Sequence, residues 1–421
     1  MAATDDTTDG PDGTVRVGYL VSRFPALTET FVLRELLAVD ALPGTAVTLM
    51  SLFPSPDRDV HADSTAAWVS RAHRPGPVAA LRAVLRWAGR RPVRTAAVWA
   101  RTVADHRRSA VALAKALAAT GQGFALAEHV ERERVEHVHA HFAALPAQAA
   151  WAIERLTGVP YSVVAHAHDV FSHQDGLGTR LRAAAFVVAI SRYHRMFLMH
   201  FGARPERTVL LPLGLDLGRY AFAERRPPAD GPVDVLFVSS LREYKGHRFL
   251  VEALALEPRL SRVRVELVGK GPLREELEAL ARARGVADRV VFAGPLPPED
   301  VLARLGTAHL LVQPSTIEED GHTEGLPTTL VEAAACGVGM VASRVTGVPD
   351  LVRDGETGYL AEPGDARGLA DALLRAIDDP DGPALRRAAR AHVEAWHDQE
   401  LVAPELARRF RASAGARRLR A

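Results

Sequence analysis

Two carboxylates, Glu324 and Glu332, flank a Gly-Leu-Pro in the run HTEGLPTTLVEAA, residues 322–334. One carboxylate can accept from two vicinal hydroxyls, which is how a ribose is usually held. Pro327 suits the first turn of a helix, where its missing N–H is no loss. Leu330 and Ala334 continue an apolar stripe at helical spacing, and Gly337 suits a left-handed end. The pattern predicts Glu324 in the loop leading into a helix and Glu332 inside it. Glu332 then suits a ribose, and Glu324 suits hydroxyls on whatever the nucleotide carries. The plainer alternative is a helix-dipole partner at Glu324 and a solvated surface charge at Glu332.

Two other stretches favour a diphosphate. VLFVSSLREYKGHRFLVEAL (235–254) reads as a strand, a loop holding Arg242 and Lys245, and a helix after Gly246. Loop amides, a helix amino terminus and a fixed cation together suit a phosphorylated ligand. The chain has only three lysines among 52 basic residues, so a lysine here departs from its arginine habit. In VELVGKGPLREEL (265–277), Gly269 and Gly271 mark the next strand-to-helix turn. The sixth position is Arg274 rather than a third glycine, which weakens a nicotinamide-type fingerprint. The glycines either let the backbone pass close to a ligand or simply make a tight turn.

Histidines concentrate earlier. HVHAHF (137–142) puts His137, His139 and His141 on one strand face, with His141 nearest the carboxyl end. Three imidazoles could ligate a metal, but no neighbouring carboxylate or cysteine in the sequence supports it, so a polar sheet lining is expected. VVAHAHDVF (163–171) ends another strand with His166, His168 and Asp169; an isolated His166 is more often structural than functional. In RFPALTETFVLRELL (23–37), Thr28 or Thr30 could cap a helix with Glu29 in its first turn.

The elements that carry these residues alternate. Strands are expected at 15–21, 46–52, 135–142, 161–167, 186–191 and 208–214. A turn-rich segment, 223–232, reads as a linker. Strands follow at 233–239, 262–269, 289–294, 310–315, 339–343 and 358–362. The fold class is α/β, two Rossmann-like doubly wound parallel-sheet domains, with a cleft expected at their carboxyl ends. Residues 1–13 read as a disordered leader, 14–222 as the first domain, 233–388 as the second, and 389–421 as an Arg-rich helical tail.

At 421 residues, 48% apolar and 24% charged, the chain has the make-up of a globular protein of two or three domains. It offers no run of about 18 apolar residues. Its start lacks signal-peptide features, and its single cysteine, Cys336, supports neither a disulfide nor a cysteine metal cage, so a cytoplasmic chain is expected. The net charge of +1 is uneven. Residues 71–108 hold ten arginines against one acid, Asp105, with Trp87 and Trp99 among them. Such a stretch either attracts an anionic membrane surface or is an Arg-rich solvated face. Without a reading motif, nucleic acid is not expected.

VSSLREYKGHRFLVEAL, LVGKGPL, FAGPLPPEDV, TEGLPTTLVEAAACG and TGVPDLVRDGETGYL resemble, in order and spacing, the retaining family 4 glycosyltransferases of GT-B fold, over nearly all of 233–363. Phe24 to Phe31 (FPALTETF) is similar to the exopolysaccharide branch, the colanic-acid and amylovoran-type transferases. The resemblance implies a nucleotide diphosphate sugar as donor and a glycan or lipid-linked acceptor. It implies that Lys245 binds the diphosphate, Glu332 the ribose, Glu324 the donor sugar or its phosphate, and that His166 lies beside sugar and acceptor. The backbone of Gly325, Leu326, Pro327 and Thr328 would face the donor, and no obligatory metal is expected. One departure stands out: Ser239-Ser240 replaces the family's Gly-Arg, so either Arg242 reaches the diphosphate instead or donor binding is weakened or lost. That departure keeps a non-catalytic nucleotide-sugar scaffold open beside transfer, and a GT-B epimerase is the other alternative.

Overall fold

Short valine-, leucine- and alanine-rich runs form the strands, and in the computed structural model they pair into two parallel sheets of six. The structure describes residues 13–26, 29–56, 63–166, 168–171 and 174–419. The leader expected over 1–13 therefore lies, apart from Gly13, outside the described residues. Contacts divide the chain into two units. One comprises the residues to Ile190, His194–Gly214 and Gln399 onward; the other comprises Ser191–Tyr193 and Leu215–Asp398. The chain thus changes unit at Leu215, ahead of the 223–232 segment, and its last helix, Gln399–Arg418, packs in the first unit rather than forming a separate tail.

The first sheet holds β1 (Val15–Arg23), β2 (Thr45–Phe53), β3 (His137–His141), β4 (Tyr161–Ala165), β5 (Phe186–Ala189) and β6 (Thr208–Leu210), in the order β2-β1-β3-β4-β5-β6. The second holds β7 (Val233–Val238), β8 (Val263–Val268), β9 (Val290–Gly294), β10 (Leu310–Gln313), β11 (Gly339–Ser343) and β12 (Tyr359–Ala361), in the order β12-β11-β10-β7-β8-β9. Every expected strand is present, with ends moved by up to four residues. Strand order reverses between β1 and β3 and between β7 and β10. In open parallel sheets the carboxyl ends at such a reversal are where ligands bind.

Both sheets are covered on both faces, which is why their strands read as nearly continuous apolar runs. Along β7, Val233, Val235 and Phe237 enter one core while Leu236 enters the other. Along β4, Tyr161, Val163 and Ala165 face one side and Val164 the other. The period of two fixes register, because a one-residue slip would exchange the cores. One helix, Ala110–Arg132, is long and apolar enough to cross a membrane by length and composition, with a mean hydropathy of 1.3 over its best window. Half of that window is buried, and its Ala119, Phe124 and Leu126 are fully buried in the first unit's core.

Candidate functional site

In the second unit, the loops after β7, β8 and β10 meet at the strand-order reversal. Gly246 has φ +77°, and a Cβ there would collide with the Pro314 carbonyl, so the turn into helix His247–Leu256 requires glycine. Gly269, at φ +142°, lies against the Ser239 carbonyl, and Gly271 against the Leu241 backbone. The Leu241 N–H donates to the Lys270 carbonyl at 3.1 Å and Ser239 N–H to Val268 at 2.9 Å. Of the two readings of these glycines, the structure gives them the close backbone approach, but toward the neighbouring loop of the chain itself.

The Lys245 ammonium is paired with the Glu324 carboxylate, and their side chains are 14% and 15% exposed. The ammonium also sits 4.9 Å from the centre of the Tyr244 ring, which stacks on His322. Burial lowers the Lys245 pKa to about 8, which still leaves the group charged at neutral pH. Arg242 is exposed and its side chain has no partner among the described residues. At the two departures from the family pattern, Ser239 Oγ is 3.1 Å from His247 Nε2 and Ser240 is bonded to Tyr244. His247 is buried against Phe237, and burial, with Lys245 secondarily, pulls its pKa to about 3. Neither His247 nor Tyr244 carried a signal in sequence beyond proximity to Lys245.

Glu324 lies in the loop before helix Thr328–Cys336, as the spacing predicts; Pro327 is the cap residue, one position before the first turn, and Gly337 ends the helix at φ +78°. The Glu324 carbonyl accepts from Thr346 Oγ at 2.6 Å, and the Gly325 carbonyl accepts from Thr346 Oγ and from Gly347 N–H. Leu326 and Pro327 are buried and Thr328 is half-buried. No side chain caps this helix or His247–Leu256, so amide donors at both amino ends remain for a ligand. Glu332 is not a solvated surface charge: it is 7% exposed and accepts from Tyr220 Oη at 3.1 Å. Burial, with Glu332 secondarily, pushes the Cys336 thiol up to about 11, which makes it inert.

In the first unit, His166 follows β4. Its ring is packed 4.6 Å from Phe31 and 4.7 Å from Phe142 and stacks on His141. Burial holds its pKa well below the usual range, so it is a neutral imidazole. The side chains of His168 and Asp169 lie outside the described residues, as does Thr28. Thr30 starts helix Thr30–Asp40 and the cap position is Glu29, without a side-chain cap bond; the expected threonine cap is absent there.

Contrary to the expectation from sequence, the histidine strand does have a carboxylate beside it, because helix Thr30–Asp40 brings Glu35 to it. Glu35 Oε1 lies 3.1 Å from His139 Nε2, His141 Nε2 and Tyr19 Oη alike. Glu35, His139 and His141 are thus a donor set that could hold a metal ion. The same contacts also close without one. Ser413 donates to His137 Nδ1, His137 Nε2–H to Ser162, Ser162 to His139 Nδ1, and His139 Nε2–H to Glu35. Burial lowers the pKa of His137 and His139, matching neutral rings. Burial opposes charge on Glu35, but His141 and His139 beside it hold its carboxyl far below the usual range.

A pocket of about 270 Å³ opens in this unit at the β1/β3 reversal, lined by Ser22 and Phe142 from the strand ends, with Glu29, Lys115, Asp175 and Arg180 around them. Of these, Glu29 and Phe142 lie in motifs singled out from the sequence; the others were not, because the lining comes from four separate segments. In the basic stretch, Trp87 is fully buried and Trp99 stacks on Phe124, so neither is a surface anchor. Arg86 pairs with Glu128, Arg90 with Glu131 and Arg101 with Asp105. Leu81 and Leu85 are 62% and 65% exposed on helix Pro77–Arg90.

The Glycosyltransferase Family 4 model matches residues 84–219, and Glycosyl transferases group 1 matches 221–394. The putative colanic acid biosynthesis glycosyltransferase WcaL of Escherichia coli (strain K12) is 27% identical over 93% of this chain and 98% of its own. The amylovoran biosynthesis glycosyltransferase AmsK of Erwinia amylovora is 30% identical over 52% of this chain and 54% of its own. Among solved structures, sucrose-phosphate synthase from Thermosynechococcus elongatus superposes with a TM-score of 0.72 at 21% identity, covering 96% of this chain and all of that one. Anabaena HepE in complex with UDP gives 0.69 at 17%, covering 94% and 99%. At those identities the two structures share the fold.

Proposed function

Because this chain belongs to the glycosyltransferases of GT-B fold, with a family 4 half followed by a group 1 half, we propose that it moves a sugar, with retention, from a nucleotide diphosphate sugar to a glycan or lipid-linked acceptor. The names of its WcaL and AmsK relatives favour exopolysaccharide biosynthesis as the setting. The observation that carries the donor reading is the Lys245–Glu324 pair at the β7/β10 reversal, between two uncapped helix amino termini.

In this reading the donor diphosphate takes Lys245, Arg242 and the free amides of helices His247–Leu256 and Thr328–Cys336. These groups stabilise charge developing as the diphosphate leaves. Glu332, oriented by Tyr220, accepts from the ribose hydroxyls, and Glu324 orients the sugar. Neutral His166 serves as a hydrogen-bonding partner rather than a cationic acid. The first unit's 270 Å³ pocket takes the acceptor. The leaving diphosphate assists the incoming hydroxyl on the same face, so no protein nucleophile and no obligatory metal is needed.

The test is release of nucleoside diphosphate from a panel of nucleotide sugars, followed by the anomeric configuration of the product. One donor turned over, product anomer equal to donor anomer, is the expected result. Inversion overturns the retaining mechanism. Binding with no transfer or hydrolysis of any donor supports the scaffold reading, which the replacement of the family's arginine by Ser240 favours.

A further inference from the structure

A second concave surface of the first unit lies away from the pocket just described. It is about 760 Å³ and carries six arginines, Arg94, Arg101, Arg155, Arg182, Arg204 and Arg207, without a carboxylate in its lining. These residues come from four places: helix Pro92–His106, the end of helix Leu145–Thr157, helix Leu177–Ala183, and the turn before β6. Arg155, Arg182 and Arg207 each precede the start of a strand, β4, β5 and β6. The pocket therefore belongs to the amino ends of those strands, whereas the 270 Å³ pocket sits at carboxyl ends.

Its charges are only partly answered. Arg101 pairs with Asp105 and Arg155 with Glu154. Arg94 also faces the Glu154 carboxylate and donates to the Leu156 carbonyl, and Arg207 donates to the Ala184 carbonyl. The Arg182 and Arg204 guanidinium groups have no partner among the described residues. A Cβ on Gly178 or Gly202 would come within 3.0 and 2.6 Å of Arg182 Nη1, so both glycines border its guanidinium. Thr179 and the apolar Ala97, Val98, Trp151 and Ala183 complete the lining. Like charges gathered in one concavity repel, and guanidinium forks match phosphate oxygens two at a time.

We propose that this pocket is a second anion site, binding a multiply charged phosphate-class group separate from the sugar donor. The group is either free in solution or carried as a lipid headgroup, and the same guanidinium forks serve both. The double variant Arg182→Ala, Arg204→Ala removes two exposed groups that hold no other side chain, so folding is retained.

Inorganic pyrophosphate is titrated by calorimetry into full-length Lys245→Ala protein, which removes the donor-site cation, with and without the double change. Binding weakened by at least about tenfold in the triple variant supports the site, since two charge-assisted contacts are lost. Vesicles of phosphatidylglycerol, with phosphatidylcholine as reference, then separate the sources. Sedimentation with the anionic vesicles that falls in the double variant and is competed by pyrophosphate assigns a headgroup. Pyrophosphate binding without it assigns a free anion. Equal pyrophosphate affinity with and without the double change overturns the proposal.

Discussion

Lys245 and Glu324 lie 79 residues apart in the chain and form a half-hidden ion pair where β7 and β10 end. A diphosphate entering that place competes with the carboxylate for the ammonium, which ties occupancy to the state of the lysine. Burial sets that state near pH 8 in the free protein. kcat/KM for the donor is expected to fall about tenfold per pH unit above that value, because it reports the free enzyme. Lys245→Arg should remove this fall. The unfolded lysine keeps its proton up to 10.5, so between pH 8 and 10.5 the unfolded chain binds more protons and this group's contribution to stability rises. A pH profile of the two proteins checks both signs.

Gly246→Ala is expected to cost at least about 2 kcal/mol, from left-handed backbone strain plus collision with the Pro314 carbonyl. Gly285 has a similar φ of +70° with open space around its missing Cβ. Gly285→Ala should therefore cost only about 1 kcal/mol. Equal melting temperatures for the two variants would show that the loop does not need close approach.

Replacing Glu35 by glutamine leaves Tyr19, His139 and His141 facing an amide in place of a carboxylate. A loss of about 3 kcal/mol is expected, as bonds to a charged acceptor disappear. The pH dependence has a definite sign. Glu35's pKa is depressed by folding, so its contribution is complete above the unfolded carboxyl range and lost as pH falls below it. His137 and His139 are depressed too, so the unfolded chain gains protons first as pH falls through 6.5, and stability drops there as well. Glu35→Gln should flatten the acid limb below the carboxyl range and leave the limb near 6.5. Denaturant titrations across pH 3–8 separate the two.

A contact of residues 71–108 with an anionic membrane, which we propose, would use the exposed Leu81 and Leu85, since Trp87 is buried and Trp99 stacks on Phe124. Flotation with anionic liposomes should fall for Leu81→Asp, Leu85→Asp, both of which are exposed. Equal recovery with neutral and anionic liposomes contradicts a role for this stretch.

The strands were legible because burial on both faces leaves uninterrupted apolar runs, and the loop–helix position of Glu324 and Glu332 followed from Pro327 and Gly337. What could not be read is what the chain brings together over long separations. Glu35 reaches the histidine strand only through a helix more than a hundred residues earlier, so the strand looked bare of carboxylates. Tyr220 reaches Glu332 across 112 residues, and a carboxylate judged by its neighbours alone could pass for a surface charge. Trp87 and Trp99 sit among arginines in sequence yet turn toward Phe124, because helix Ala110–Arg132 supplies the core they fill.

Melting of the folded protein in UDP, GDP and ADP, beside Glu332→Ala, tests the nucleotide diphosphate site proposed in the second unit. A ligand at about a hundred times its dissociation constant adds roughly 2.7 kcal/mol, a shift of several degrees. The account predicts that one nucleotide raises the wild-type melting temperature by that amount and the Glu332→Ala protein by much less. No shift with any of the three, or equal shifts in both proteins, would contradict it.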